Sequence, residues 1–202
     1  MPNSQKFKPT YILIAINVAI YLYTSASLNF LTTSNSMLLQ YGQVNDYVIN
    51  LGYYYQLFTS MFIHADITHI VGNMLFLFIF GLRGEEMFSL PEYLGIYLIG
   101  GLTGNILSLF LLPSTTVSVG ASGAIFAMFG ASVIYARRSF SQSIIGALIY
   151  AFFLLFISSG VGVNIFAHIG GLAAGLLIGY WLATRRKPET RYSVSYSYST
   201  FP

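Results

Sequence analysis

No cysteine occurs among the 202 residues. Disulfides, thiolate metal sites and a cysteine nucleophile are all excluded, so covalent chemistry has to use Ser, Thr, Tyr, Lys or a carboxylate. Charge is almost as scarce: Asp, Glu, Lys and Arg make up 7% of the chain, against about 25% in an average soluble domain. Hydrophobic residues make up 55%. So few charges on so apolar a chain exclude a soluble globule and indicate an integral membrane protein. The opening MPNSQKFKPT runs into an apolar stretch without a small-residue cleavage site and without the Arg-rich pattern of a transit peptide. It reads as the approach to a first membrane helix.

A helix needs about 20 residues to cross roughly 30 Å of hydrocarbon. Runs of that kind start at residues 10–31 and 68–82, the second extending back towards His64 at its outer end, and continue at 93–112. Residues 93–136 carry no charge and are too many for one helix, but Pro113-Ser114-Thr115-Thr116 supplies a break, so a fourth helix starts near Ser122. The stretch 139–184 divides at Ser158-Ser159-Gly160-Val161-Gly162 into helices over 143–157 and 164–184. The expected fold class is all-α: a polytopic membrane protein built as a six-helix bundle over residues 1–184. The Ser/Tyr-biased tail 185–202 reads as cytoplasmic and disordered.

Lys and Arg collect on cytoplasmic flanks. Lys6 and Lys8 precede helix one, Arg83 follows helix two, Arg137 and Arg138 follow helix four, and Arg185, Arg186, Lys187 and Arg191 follow helix six. All nine basic residues then share one side. Both termini are expected in the cytoplasm, in the plasma (cell inner) membrane. The net charge of +3 is accounted for by this asymmetry and leaves no basic surface for nucleic acid. The outward segment 32–63 ends in LGYYYQLFTSMFI, aromatic residues suited to the bilayer interface.

Polar residues within spans are costly and usually serve a site. Here they are His64, Asp66, His69, Asn73, Asn105, Ser122 and His168. The three histidines of the chain and Ser122 fall at one outer depth on three helices. His69 and Asn73 are four apart and share a helix face. After His168, Gly171, Gly175 and Gly179 form a stripe that lets another helix approach closely, and Gly123, Ala127 and Ala131 are the matching small residues on helix four. Two such seams bring Ser122 within reach of His168, although Ser122 lies about 100° around its helix from Gly123. Each feature also has a plainer reading: a membrane serine often bonds its own backbone carbonyl, and glycine stripes commonly serve packing alone.

A serine hydroxyl needs a base to become a nucleophile, and an imidazole is the usual one. Ser122 with His168 fits those roles. The Ser122 amide at a helix start and the His69 and Asn73 side chains could donate to the oxygen of a tetrahedral intermediate. Asp66 is the one carboxylate at this depth and the one candidate for a third member, but a two-residue dyad fits better.

These residues resemble the rhomboid family of intramembrane serine proteases. Gly120-Ala121-Ser122-Gly123 matches its GxSG motif, Ala167-His168-Ile169-Gly170-Gly171 with Gly175 and Gly179 its last helix, and His64, His69 and Asn73 its HxxxxHxxxN pattern. Phe80-Gly81 with Glu85 resembles its end of helix two. Where many members carry a Trp-Arg pair in the outward loop, this chain reads Tyr55-Gln56. The resemblance implies Ser122 as nucleophile, His168 as general base and acid, His69 and Asn73 as oxyanion donors, and Gly120, Gly123 and His64 as site-shaping residues. It also implies hydrolysis of a peptide bond in or near the span of membrane-anchored substrate proteins, with no cofactor or metal. By the same resemblance Phe152, Phe153 and Phe156 on helix five border the site as a lateral gate. No strand is expected before Ser122, unlike the nucleophile elbow of soluble hydrolases. Two other readings stand beside this one: an inactive rhomboid-like binding protein, and a small His-dependent transporter.

Overall fold

The structure is a computed structural model that describes residues 8–139, 145, 149 and 163–185. Four described helices are long and apolar enough to cross a membrane. Helix α1 is Pro9–Ser25, with proline in its first turn, where the missing N–H costs nothing. Three short helices follow, α2 (Asn35–Tyr41), α3 (Asn45–Asn50) and α4 (Gln56–Thr59). Helices α5 (Ile67–Met87) and α6 (Leu90–Leu111) are followed by α7 (Ser122–Ser139) and α8 (Ile165–Arg185). Of the helix expected over 143–157 only residues 145 and 149 are described, both helical. The Phe152, Phe153 and Phe156 gate, the turn at 158–162 and the tail beyond Arg185 lie outside the described residues.

Local chemistry fixes the helix starts. Asp66 caps α5, its Oδ1 accepting from the His69 amide at 2.8 Å. The cap ends the helix at Ile67, so His64 stands in the preceding extended segment and not in the span as expected. Before α6, the Ser89 amide donates to Glu92 at 2.7 Å, half of a capping box. Asn164 caps α8, with Oδ1 accepting from the Ala167 amide at 3.0 Å.

Helix α7 is the centre of the bundle and packs against α5, α6 and α8. From Ala121 to Ser132 every residue except Ser122 is buried. The predicted seams meet residue for residue: a Cβ on Gly171 would run into the Gly123 carbonyl, one on Gly175 into that of Ala127, and one on Gly179 into that of Ala131. Backbones this close bring many dispersion contacts into a membrane core, where there is little hydrophobic drive.

The segment between α1 and α5 is held by buried polar residues as well as by its aromatics, Phe62 packing on Tyr97. Gln43, Asn45 and Gln56 are fully buried. Gln43 Nε2 donates to the Asn105 carbonyl at 3.0 Å, and Asn45 Nδ2 to that of Pro113 at 3.1 Å, tying the segment to the end of α6. Strand β1 (Gln43–Val44) pairs antiparallel with β2 (Val117–Ser118).

Candidate active site

The segment that delivers Ser122 starts as β2. The absence of a strand before Ser122, expected from sequence, is thus corrected: two residues of strand precede it, short enough to leave no alternating pattern. Gly120 then turns the chain at φ 119, a conformation open to glycine and strained for other residues. Its amide donates to the Ser60 carbonyl at 2.9 Å. Ser60 Oγ is in turn held by Asn105 Nδ2 at 2.9 Å. Two residues after the turn, Ser122 opens α7, where amides still lack helical partners.

His168 lies one turn into α8 and is 6% exposed. Its ring stacks on Phe126 with centroids 4.4 Å apart and planes at 21°. Phe126 is one helical turn past Ser122, so the imidazole lies along the Ser122 side of α7. The neighbouring backbone agrees, since a Cβ on Gly123 would stand 3.2 Å from the Ala167 carbonyl.

The opposite wall is α5. A Cβ on Gly120 would be 2.8 Å from His69 Nε2 and 3.9 Å from Ser122 Oγ, which places the His69 ring and the Ser122 hydroxyl about one glycine. Asn73 follows one turn later, Nδ2 donating to the His69 carbonyl at 2.9 Å, with its second N–H left over from that bond. Behind His69 sits His64, fully buried and edge-on to it at 5.2 Å. Burial and then the neighbouring His69 push the His64 imidazole down to about 3, so it is a neutral buttress. Its carbonyl accepts from Thr33 Oγ1 at 2.6 Å.

Ser122, His168, His69, Asn73 and Gly120 line one cavity of about 610 Å³, with Phe76, Phe80, Phe126 and Asn164 among the remaining walls. Gly123 lies in the helix seam beside it, and His64 backs it. The sequence pattern of the Rhomboid domain matches residues 51–185, which include the whole cavity lining.

The chain belongs to the rhomboid family.

It is 31% identical over 189 residues to the putative rhomboid protease YdcA of Bacillus subtilis, covering 89% of this chain and 90% of that relative. It is 38% identical over 160 residues to the mitochondrial RHOMBOID-like protein 6 of Arabidopsis thaliana, covering 76% of this chain and 52% of the relative. To RHOMBOID-like protein 1 of the same plant it is 36% identical over 132 residues, or 62% of this chain and 34% of the relative. The chain therefore spans about half or less of these plant relatives. Family and apolar helices together make this a multi-pass membrane protein.

Several details of this rhomboid depart from expectation or fill it in. Gln56 docks the segment between α1 and α5: Oε1 accepts from the Val44 amide at 3.0 Å and Nε2 donates to the Leu39 carbonyl at 2.8 Å. Gly81 and Glu85 receive the start of α1. The Thr10 amide donates to Glu85 at 2.8 Å, and a Cβ on Gly81 would meet the Thr10 side chain at 2.8 Å. Asp66, the candidate third member, directs Oδ1 to Thr68 Oγ1 and the His69 amide. The Thr68 hydroxyl, then the His69 amide, holds this carboxyl below its ordinary range against the opposing effect of burial.

Sequence reasoning missed Phe126 and Asn164. Phe126 could have been read from its place four residues after Ser122. Asn164, four before His168, resembles an ordinary helix cap. Its side chain also donates to Ser118 Oγ at 2.8 Å and accepts from Ser108 Oγ at 3.1 Å, joining α8, β2 and α6.

Proposed function

We propose that this rhomboid is an intramembrane serine endopeptidase using a Ser122–His168 dyad on membrane-anchored protein substrates. The observation that carries the reading is one cavity bounded by Ser122 and the Phe126-stacked His168 on one side and by His69 and Asn73 on the other. His168 takes the Ser122 proton as Oγ attacks the scissile carbonyl carbon. The oxyanion is met by the Ser122 amide, the His69 ring and the spare Asn73 N–H. His168 then returns the proton to the leaving amine, and water hydrolyses the acyl-enzyme by the same steps in reverse.

Water has to reach Ser122 for this, and helix length supports that it does. From Ser122 to Arg137 α7 rises about 22 Å, less than the roughly 30 Å of hydrocarbon. With Arg137 at one interface, Ser122 lies several ångströms below the other, in a cavity whose partly exposed rim carries Asp66 and Thr68. We assign the end bearing Lys8, Arg83 and Arg185 to the cytoplasm, the membrane being the plasma (cell inner) membrane.

The test is cleavage of a single-span reporter by the purified chain, together with labelling by a fluorophosphonate. Cleavage and labelling that both vanish in Ser122→Ala support the reading. Cleavage that survives in Ser122→Ala refutes it, and a wild-type chain that neither cleaves nor labels is an inactive rhomboid-like binding protein.

A further inference from the structure

Among the described residues that line the cavity, Asp66 is the only Asp, Glu, Lys or Arg. It stands on the partly exposed rim with Ala65 and Thr68. We propose that Asp66 selects membrane-anchored substrates carrying a Lys or Arg side chain close to the cleaved bond, on the flank that leaves the bilayer at the Asp66 end. The inference rests on the protease reading above.

Asp66 accepts from the Thr68 hydroxyl and the His69 amide, and the His69 ring is close enough to act on it, but no described Lys or Arg stands at this end of the bundle. The positive end of α5 offsets only about half a unit charge. The described basic residues lie at the other end of the bundle: Arg83 is 17 positions along α5, about 25 Å away. That is well beyond a Debye length of about 8 Å in physiological salt. A carboxylate held below its ordinary range, as this one is, keeps its charge at neutral pH.

The reach is suitable. Asp66 precedes His69 by three residues, about 4.5 Å of helix rise, and His69 borders Ser122 across Gly120. An extended substrate advances about 3.3 Å per residue, so a residue one to three positions from the scissile bond comes opposite Asp66. The preference would also discriminate. Spans inserted with the usual orientation carry few Lys or Arg on their outer flank, so a cation there marks a minority of membrane proteins.

The experiment uses the full chain in proteoliposomes and a matched set of single-span reporters with Lys, Gln or Glu at each of the three positions on either side of the cleaved bond. In the wild type, Lys should exceed Glu in kcat/KM by about three- to tenfold at one or more positions, the range of a partly screened ion pair. Asp66→Asn and Asp66→Ser both keep a side-chain helix cap while removing the charge, and in either the Lys-to-Glu ratio should fall towards one. The ratio is taken within each variant, so a change in overall rate does not affect it, and fluorophosphonate labelling shows that the variants are folded. A ratio near one in the wild type at every position, or one unchanged in both variants, overturns the inference and leaves the protease reading standing. Reporters left uncut by the wild type overturn both.

Discussion

At the residue scale the site depends on a few positions whose substitutions separate chemistry from folding. Ser122→Ala and His168→Ala should each lower kcat/KM by about 10³-fold or more, and the double variant should be little worse than either, because the two act as one unit. Reporter kinetics on the three proteins check this. Gly120→Ala is a sharper case. The new Cβ would sit at φ 119 and 2.8 Å from His69 Nε2, so the ring has to move. A displacement of that kind costs about 10²-fold in turnover, measured as kcat with Ser122 labelling retained. Much of the site was legible in sequence because its residues are of rare types in an apolar chain: three histidines, one asparagine and a glycine-framed serine at one depth. Phe126 was hidden because phenylalanine is common here, with 17 in the chain, and its stacking on His168 is a tertiary fact.

At the element scale, a glycine in the seam between α7 and α8 and one outside it should respond to a side chain with opposite signs. Gly175→Val drives a side chain into the Ala127 carbonyl and should destabilise the bundle by about 1–3 kcal/mol. Gly95→Ala in α6 meets nothing within 4 Å and should gain about 0.5–1 kcal/mol from the stiffer helix. Unfolding in detergent, followed by circular dichroism, compares the two. The cap of α5 gives a pH prediction. Asp66 has a folded pKa below its ordinary 3.8, so its contribution is present above that value and is lost as pH falls through the folded pKa. Melting temperature should therefore drop on acidification below about pH 4, and drop less in Asp66→Asn. The seam could be read from its four-residue spacing. The strand before Ser122 could not, since its two residues leave no alternation and are fixed by pairing with residues more than 70 positions earlier.

At the scale of the whole molecule, the lack of cysteine makes topology directly measurable. Tyr54→Cys, where the native ring is 68% exposed beside α4, should react with a membrane-impermeant maleimide in intact cells. Glu86→Cys, at the Arg83 end of α5, should react only after permeabilisation. The reverse pattern would invert the assigned orientation. Helices α6 and α8 and the start of α7 follow the sequence reading to within three residues, because each is bounded by a proline, a cap or a basic flank. By contrast, α1 ends at Ser25, six residues short of the expected 31, and α5 runs on to Met87, five past the expected 82, and takes in Arg83. The order of the segment between α1 and α5 was not legible, since Gln43, Asn45 and Gln56 look like surface residues until the end of α6 is seen to receive the first two and the segment's own backbone the third.

The enclosure of α7 has a mechanical consequence. Helices α1 and α5 present residues such as Ile12, Leu22, Val71 and Leu75 outward, and these are the surfaces on which a thicker or thinner bilayer acts, through tilt. Ser122 belongs to a helix shielded from that load on nearly every side. Reactivity of the serine towards a small phosphonate should hold steady across lipids of different chain length, while cleavage of a spanning reporter, which has to leave that same bilayer, should vary with them. In this rhomboid the lipid would set how a substrate arrives, and the buried helix would keep the reacting atoms in register.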